Sequence, residues 1–132
     1  ARLQKAARKV SMTMQAARMR KVTLRRYYRL EVDVDADQIL LSYFGPEGTF
    51  IRDEEVPALE IEDTDIVDMI TSTRGRTKEG IGWIHVSPRG FMEPSMVHLR
   101  DARGRDLTVS PSPAGGRVRV LDGYVELGSD LG

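Results

Sequence analysis

The stretch Ile84–Ser110, IHVSPRGFMEPSMVHLRDARGRDLTVS, decides the fold. Its polar and apolar residues alternate in three short runs, IHVS, SMVHLRD and DLTVS, and a period of two belongs to half-buried antiparallel strands. Pro88, Arg89 and Gly90 supply turn chemistry between the first two runs. The turns hold neither a metal-ligand spacing nor a nucleophile motif. A meander with no chemistry in its turns predicts scaffold.

Working outward, the pattern continues on both sides. GWIHVS at Gly82–Ser87 opens the series, GRVRVLDG at Gly116–Gly123 continues it, and YVEL at Tyr124–Leu127 is expected as a last strand. Turn residues recur every eight to twelve positions, which predicts a small sheet or two packed sheets. Further upstream, Tyr28, Leu30, Val32 and Val34 point one way while Tyr27, Arg29, Glu31, Asp33 and Asp35 point the other. The period of two starts at Val22. With DADQ (Asp35–Gln38) as turn and ILLSYF as return strand, this is a hairpin, ended by the turn residues Gly45–Gly48.

The acidic middle is less legible. Val56, Leu59, Ile61, Ile66, Val67 and Ile70 suit a strand on either side of Pro57 or one short helix near Thr64–Met69. The polar run Thr71–Gly80 reads as an exposed loop.

At the N-terminus the period changes. Leu3, Ala7, Val10, Met14 and Ala17 recur at steps of four and three, which places them on one face of a helix. The stripe is narrow and rich in small residues, suited to close packing on a sheet or a neighbouring helix, and the rest of the helix is basic and polar. Its cationic last turn, Arg18–Lys21, favours the negative end of the helix dipole. The expected architecture is α+β and pilin-like: an amphipathic helix over about residues 1–22, packed on antiparallel sheet over 23–132, in a single domain.

At 132 residues the chain is long enough for one core, and its 40% hydrophobic and 30% charged residues are ordinary for a soluble domain. There are no cysteines, which excludes disulfide scaffolds and thiolate chemistry. A net charge of zero hides an asymmetry: residues 1–30 carry ten bases and no acid, and residues 31–70 carry thirteen acids against Arg52. Such blocks suit internal pairing or contact with copies and partners.

Candidate chemistry fails residue by residue. His85 and His98 lie inside strand patterns without a nucleophile or second ligand, and are expected as half-exposed strand histidines. Asp33, Asp35 and Asp37 resemble the start of a calcium loop, but Gln38 stands where the glycine belongs and Phe44 where the glutamate belongs. No phosphate loop and no G-x-S-x-G elbow is present. The basic helix with LRRYYR (Leu24–Arg29) is the best nucleic-acid candidate, through phosphate contacts and stacking of Tyr27 and Tyr28. The acidic middle and the acidic tail argue against it.

Taken together, the N-terminal helix, the hairpin and the motifs IHVSPRG (Ile84–Gly90), SMVHLRD (Ser95–Asp101), DLTVS (Asp106–Ser110) and GRVRV (Gly116–Val120) resemble the GspH/FimT family of minor type II secretion pseudopilins and minor type IV pilins. Arg2, Leu3, Ala17 and Arg18 echo the texture of that family's helix. The family's apolar N-terminus is not in this sequence, which opens on Ala1 in mid-helix. The resemblance implies a processed or shortened chain whose full-length form has a single inner-membrane helix and places this domain in the periplasm.

It also implies a subunit without catalysis or cofactor, at or near the tip of a short filament, supporting protein export. The partners would be other pseudopilins or pilins, with secreted substrates as further candidates, and the alternative is a minor pilin binding DNA for uptake through its basic N-terminal region. Leu3, Ala7, Val10, Met14 and Ala17 would hold helix to sheet. Partner contacts are expected at the loops Gly45–Asp53 (Gly45, Glu47), Thr71–Gly80 (Arg74, Arg76, Lys78) and Pro111–Gly116 (Ser112).

Overall fold

The helical stripe and the strand patterns become one helix and ten strands among residues 2–112 and 116–128, the residues that the computed structural model describes. The helix α1 (Arg2–Leu24) buries Leu3, Ala7, Val10, Met14 and Ala17, together with Ala6. Each of the larger side chains in that stripe contributes about 1.5–3 kcal/mol of burial. The alanines hold the backbone close to what lies beneath.

Two antiparallel five-stranded sheets receive the helix. Sheet A is ordered β3 (Phe50–Arg52), β2 (Gln38–Phe44), β1 (Tyr28–Asp33), β7 (Ile81–Val86), and the two-residue β4 (Leu59–Glu60) also pairs with β2. Sheet B is ordered β10 (Val118–Asp122), β9 (Asp106–Pro111), β8 (Ser95–Asp101), β5 (Thr64–Thr71), β6 (Gly75–Thr77). The helix rests chiefly on β9, β10 and β8 of sheet B and on β1 of sheet A. Tyr28, Leu30, Val32, Ile84, Val86, Val97, Leu99 and Val109 form the core between these layers, all fully buried. Gly82 permits a close approach of the sheets, since a Cβ there would sit 2.4 Å from the Met69 sulfur.

Several expectations are corrected. The helix runs on to Leu24 and ends on Arg25, whose φ of 52° is the left-handed conformation of a helix C-terminus, so β1 begins at Tyr28 instead of Val22. Residues 64–69 form no helix; they belong to β5. The run Thr71–Gly80 is partly strand, because Gly75–Thr77 pairs back onto Met69–Thr71 as β6. Likewise Gly45–Asp53 contains β3, and its last residue Asp53 is buried.

Residues 124–127 are not a strand. Val125 instead lies across the outer face of sheet B, its amide accepted by Thr108 Oγ1 at 3.0 Å and its carbonyl 2.6 Å from His98 Nε2. His98, expected half-exposed, is fully buried beneath this strap.

Candidate interaction surfaces

The two charge blocks meet inside the molecule first. Arg20, near the end of α1, donates from Nε to Asp53 Oδ2 at 2.9 Å and from Nη2 to Glu55 Oε2 at 3.1 Å. At the other end Arg2 pairs with Asp63 at 3.1 Å. The acidic segment 53–63 is thereby fastened to both ends of the basic helix. Arg18 is buried as well, donating to the carbonyls of Gly116, at 2.9 Å, and Ser112. Among the described residues, the helix leaves Arg2, Gln4, Lys5, Arg8 and Lys9 in solvent together with two large apolar side chains, Met12 and Met19.

The second surface is the outer face of sheet A. Register places Arg29 of β1 opposite His85 of β7 and Ser42 of β2, and Phe44 opposite Phe50 of β3. Rings and guanidinium groups interleave there. Arg29 lies 3.7 Å over the Phe50 ring and 4.8 Å from the centre of Trp83, and Arg74 lies 4.3 Å over the Trp83 ring. Tyr27 touches Phe50 and His85, and Phe44 meets Phe50 edge-on at 5.4 Å. Burial lowers the His85 pKa from its ordinary value, which favours the neutral ring. Beside it is an open groove of about 420 Å³ lined by Tyr27, His85, Ser87, Phe91, Met92 and Pro94.

The third cluster fastens the C-terminal strap. Asp68 of β5 takes His98 Nδ1 at 2.5 Å on one oxygen and the Tyr124 hydroxyl at 2.6 Å on the other, where Arg76 also reaches at 3.3 Å. Arg76 further binds the Tyr124 hydroxyl and both Glu126 oxygens, the latter at 2.6 Å. Tyr124 stacks flat on the His98 ring. A histidine oriented by an aspartate is half of a catalytic arrangement. Here both ring nitrogens are occupied by the fold itself, and the strap covers the ring.

At the end where α1 begins, Arg2, Leu3, Asp37, Asp63 and Arg103 line a polar groove of about 660 Å³. Burial, then the neighbouring Asp65 and Asp33, raise the Asp37 pKa; its carboxylate accepts the Ile66 amide at 2.7 Å. Among the described residues, no three metal-ligating side chains are grouped, and no helix is long and apolar enough to cross a membrane.

Two solved structures of the minor pseudopilin EpsH from the type 2 secretion system of Vibrio cholerae share this arrangement of helix and sheets. One superposes with a TM-score of 0.70 at 12% sequence identity, covering 92% of this chain and 98% of its own. The other gives 0.74 at 11% identity, covering 95% and 96%. The chain has the minor-pseudopilin fold. No protein-family model matches the sequence, and no curated protein does.

On this fold the loop residues marked from sequence divide into two kinds. Gly45, Glu47, Arg74 and Lys78 lie at turns, and all but Gly45 are exposed. Arg76 and Ser112 are engaged by the fold, Arg76 through its guanidinium with Asp68 and the strap, Ser112 through its carbonyl with Arg18. Residues 113–115 of the third loop lie outside the described residues. Sequence reasoning read Arg18 only as part of the cationic last turn and the helix texture, and Asp53 only as the end of an exposed loop; it missed Asp68 and Trp83. Only Trp83 carried a signal, an aromatic residue on the solvent side of an alternating strand.

Proposed function

We propose that this chain is a non-enzymatic minor pseudopilin, a structural subunit at or near the tip of a type II secretion pseudopilus that supports protein export. The observation that carries the reading is the placement of α1. Its narrow alanine-containing stripe is spent on the sheets, while its outer face, with Lys5, Arg8, Lys9, Met12 and Met19, remains exposed along the helix. That is the arrangement of a subunit that assembles through its helix, and the full-coverage likeness to EpsH supports it. In this reading the domain occupies the periplasm, the full-length protein is anchored in the inner membrane, and the turns at Gly45–Gly48 and Thr71–Arg74 meet neighbouring subunits.

The alternative of a pilin that captures DNA is weakened by the internal use of Arg2, Arg18 and Arg20, which leaves fewer cations for phosphates. Titration of the labelled domain with soluble domains of other pseudopilins from the same system tests the proposal. The expected result is association at tens of micromolar, roughly 6 kcal/mol, with NMR shifts on the exposed side of α1. Absence of binding to every such domain, together with a salt-dependent shift on duplex DNA, would replace this reading with the alternative.

A further inference from the structure

The outer face of sheet A is used by neither the core nor the helix. Ile81, Tyr27 and Phe44 on this face are 47%, 39% and 50% exposed, with Trp83, His85 and Phe50 half-buried between them. Among the described residues, what lies over it is the tip of the β5–β6 turn, through Arg74. Tryptophan, tyrosine, phenylalanine and arginine are the side chains enriched at the energetic centres of protein interfaces, and they are concentrated here.

The polar atoms of this face are incompletely satisfied. Arg29 Nε, Trp83 Nε1 and His85 Nδ1 are buried without a hydrogen-bond partner. Glu31 stands 3.8 Å from Arg29 Nε, beyond hydrogen-bond reach, and one of its oxygens is taken by Ser42 Oγ at 2.7 Å. Arg29 and Trp83 can only donate from these atoms, so what they lack is an acceptor oxygen. Charge points the same way. Arg29, Arg52 and Arg74 lie on or over the face, and exposed Arg25 borders it, while the Arg26 guanidinium lies over Tyr43 on the opposite face. The nearby carboxylate of Glu93 is already held by Thr73 and by the His85 amide. Arg74 makes no ion pair among the described residues; its contact is the stacking on Trp83, which an incoming group can displace.

We propose that the outer face of sheet A is a docking surface for a protein segment that carries carboxylates around an aromatic or branched apolar side chain. The carboxylates would meet Arg74, Arg52 and the unmet donors, and the apolar side chain would enter the groove beside Tyr27 and Phe91. Single-stranded nucleic acid also stacks on aromatic rings, but it needs a run of free cations along the backbone. Here Glu31 and Asp33 follow Arg29 along the same strand face, so the cations form a cluster instead of a run. The surface rests on the filament-subunit reading only for the class of partner, a protein.

Trp83 is the sequence's single tryptophan, so tryptophan emission, excited selectively over tyrosine, reads this face alone. The domain is titrated with a capped nonapeptide of glutamates around a central phenylalanine-leucine pair, with the same peptide carrying glutamine for every glutamate, and with a thymidylate dodecamer. The expected result is a saturable change in Trp83 emission with the acidic peptide and binding about tenfold weaker for the glutamine peptide. The surface variants Arg74→Glu and Phe44→Ser each weaken it at least about fivefold, with circular dichroism confirming their fold.

No saturable change up to about millimolar peptide, equal binding of the glutamine peptide, unchanged binding by both variants, or tighter binding of the thymidylate overturns the proposal. Pseudopilin domains that shift only α1 in the NMR titration, with sheet A silent, also overturn it while leaving the filament reading standing. Loss of pseudopilin binding with peptide binding intact does the reverse.

Discussion

Tyr124 shows how much one hydroxyl can be held by its surroundings. Burial comes first, followed by its hydrogen bond to Asp68 and the charge of that carboxylate, and together they push its pKa from 10 up to about 12. The folded chain therefore keeps the phenolic proton where an unfolded chain has lost it. The stability this contributes is complete below pH 10 and is lost as the pH rises towards 12. A phenolate absorbance titration of the native chain minus that of Tyr124→Phe is expected to give a midpoint near 12 for this residue. In Asp68→Asn the midpoint moves back towards 10, since the charge that disfavours the phenolate is gone. A Tyr124 midpoint of 10 in the native chain would mean that the strap does not hold its ring on His98.

Among the elements, α1 was the most legible and β5 the least, and the difference is physical. The helical stripe obeys a fixed period, so spacing alone identified Leu3, Ala7, Val10, Met14 and Ala17, all now buried. In β5 the register against β8 shifts between Ile66 and Asp68. The extra residue, Val67, lets Ile66 and Met69 both face inward three positions apart, which breaks the alternation that reveals a strand and imitates a helical step. The same bulge turns Asp68 outward to meet His98. Sequence could not show that a strap covers these two, because an outward strand residue is ordinarily half-exposed, and what buries it lies 27 residues away in Val125.

For α1 the small residues make a sharp expectation. Ala17 is fully buried against the sheets, so Ala17→Leu overfills a packed site and destabilises the domain by about 1–3 kcal/mol in urea unfolding. Exposed Met12→Leu leaves stability within about 0.5 kcal/mol. Equal effects would mean that the helix does not sit tightly.

At the scale of the whole molecule, opposite charge closes the chain on itself before it meets anything else. The acidic segment 53–63 is tied to α1 at Arg20 and Arg2, and the strap is tied to sheet B at Asp68, Arg76, His98 and Thr108. The two fastenings differ in kind. Asp53 accepts from Arg20 while its amide donates to the Leu41 carbonyl, which joins it to the backbone ladder of sheet A. Val125, in contrast, gives both its amide and its carbonyl to side chains. Those side chains stand on β8 and β9, and the others that grip the strap stand on β5 and β6.

The strap therefore finds its full set of partners only once four separate strands have come into register, so it is expected to seat late and to lift early. Hydrogen exchange is expected to find the Val125 amide opening well below the global unfolding free energy while the amides of β8 stay protected. Equal protection at both would make the strap part of the cooperative core.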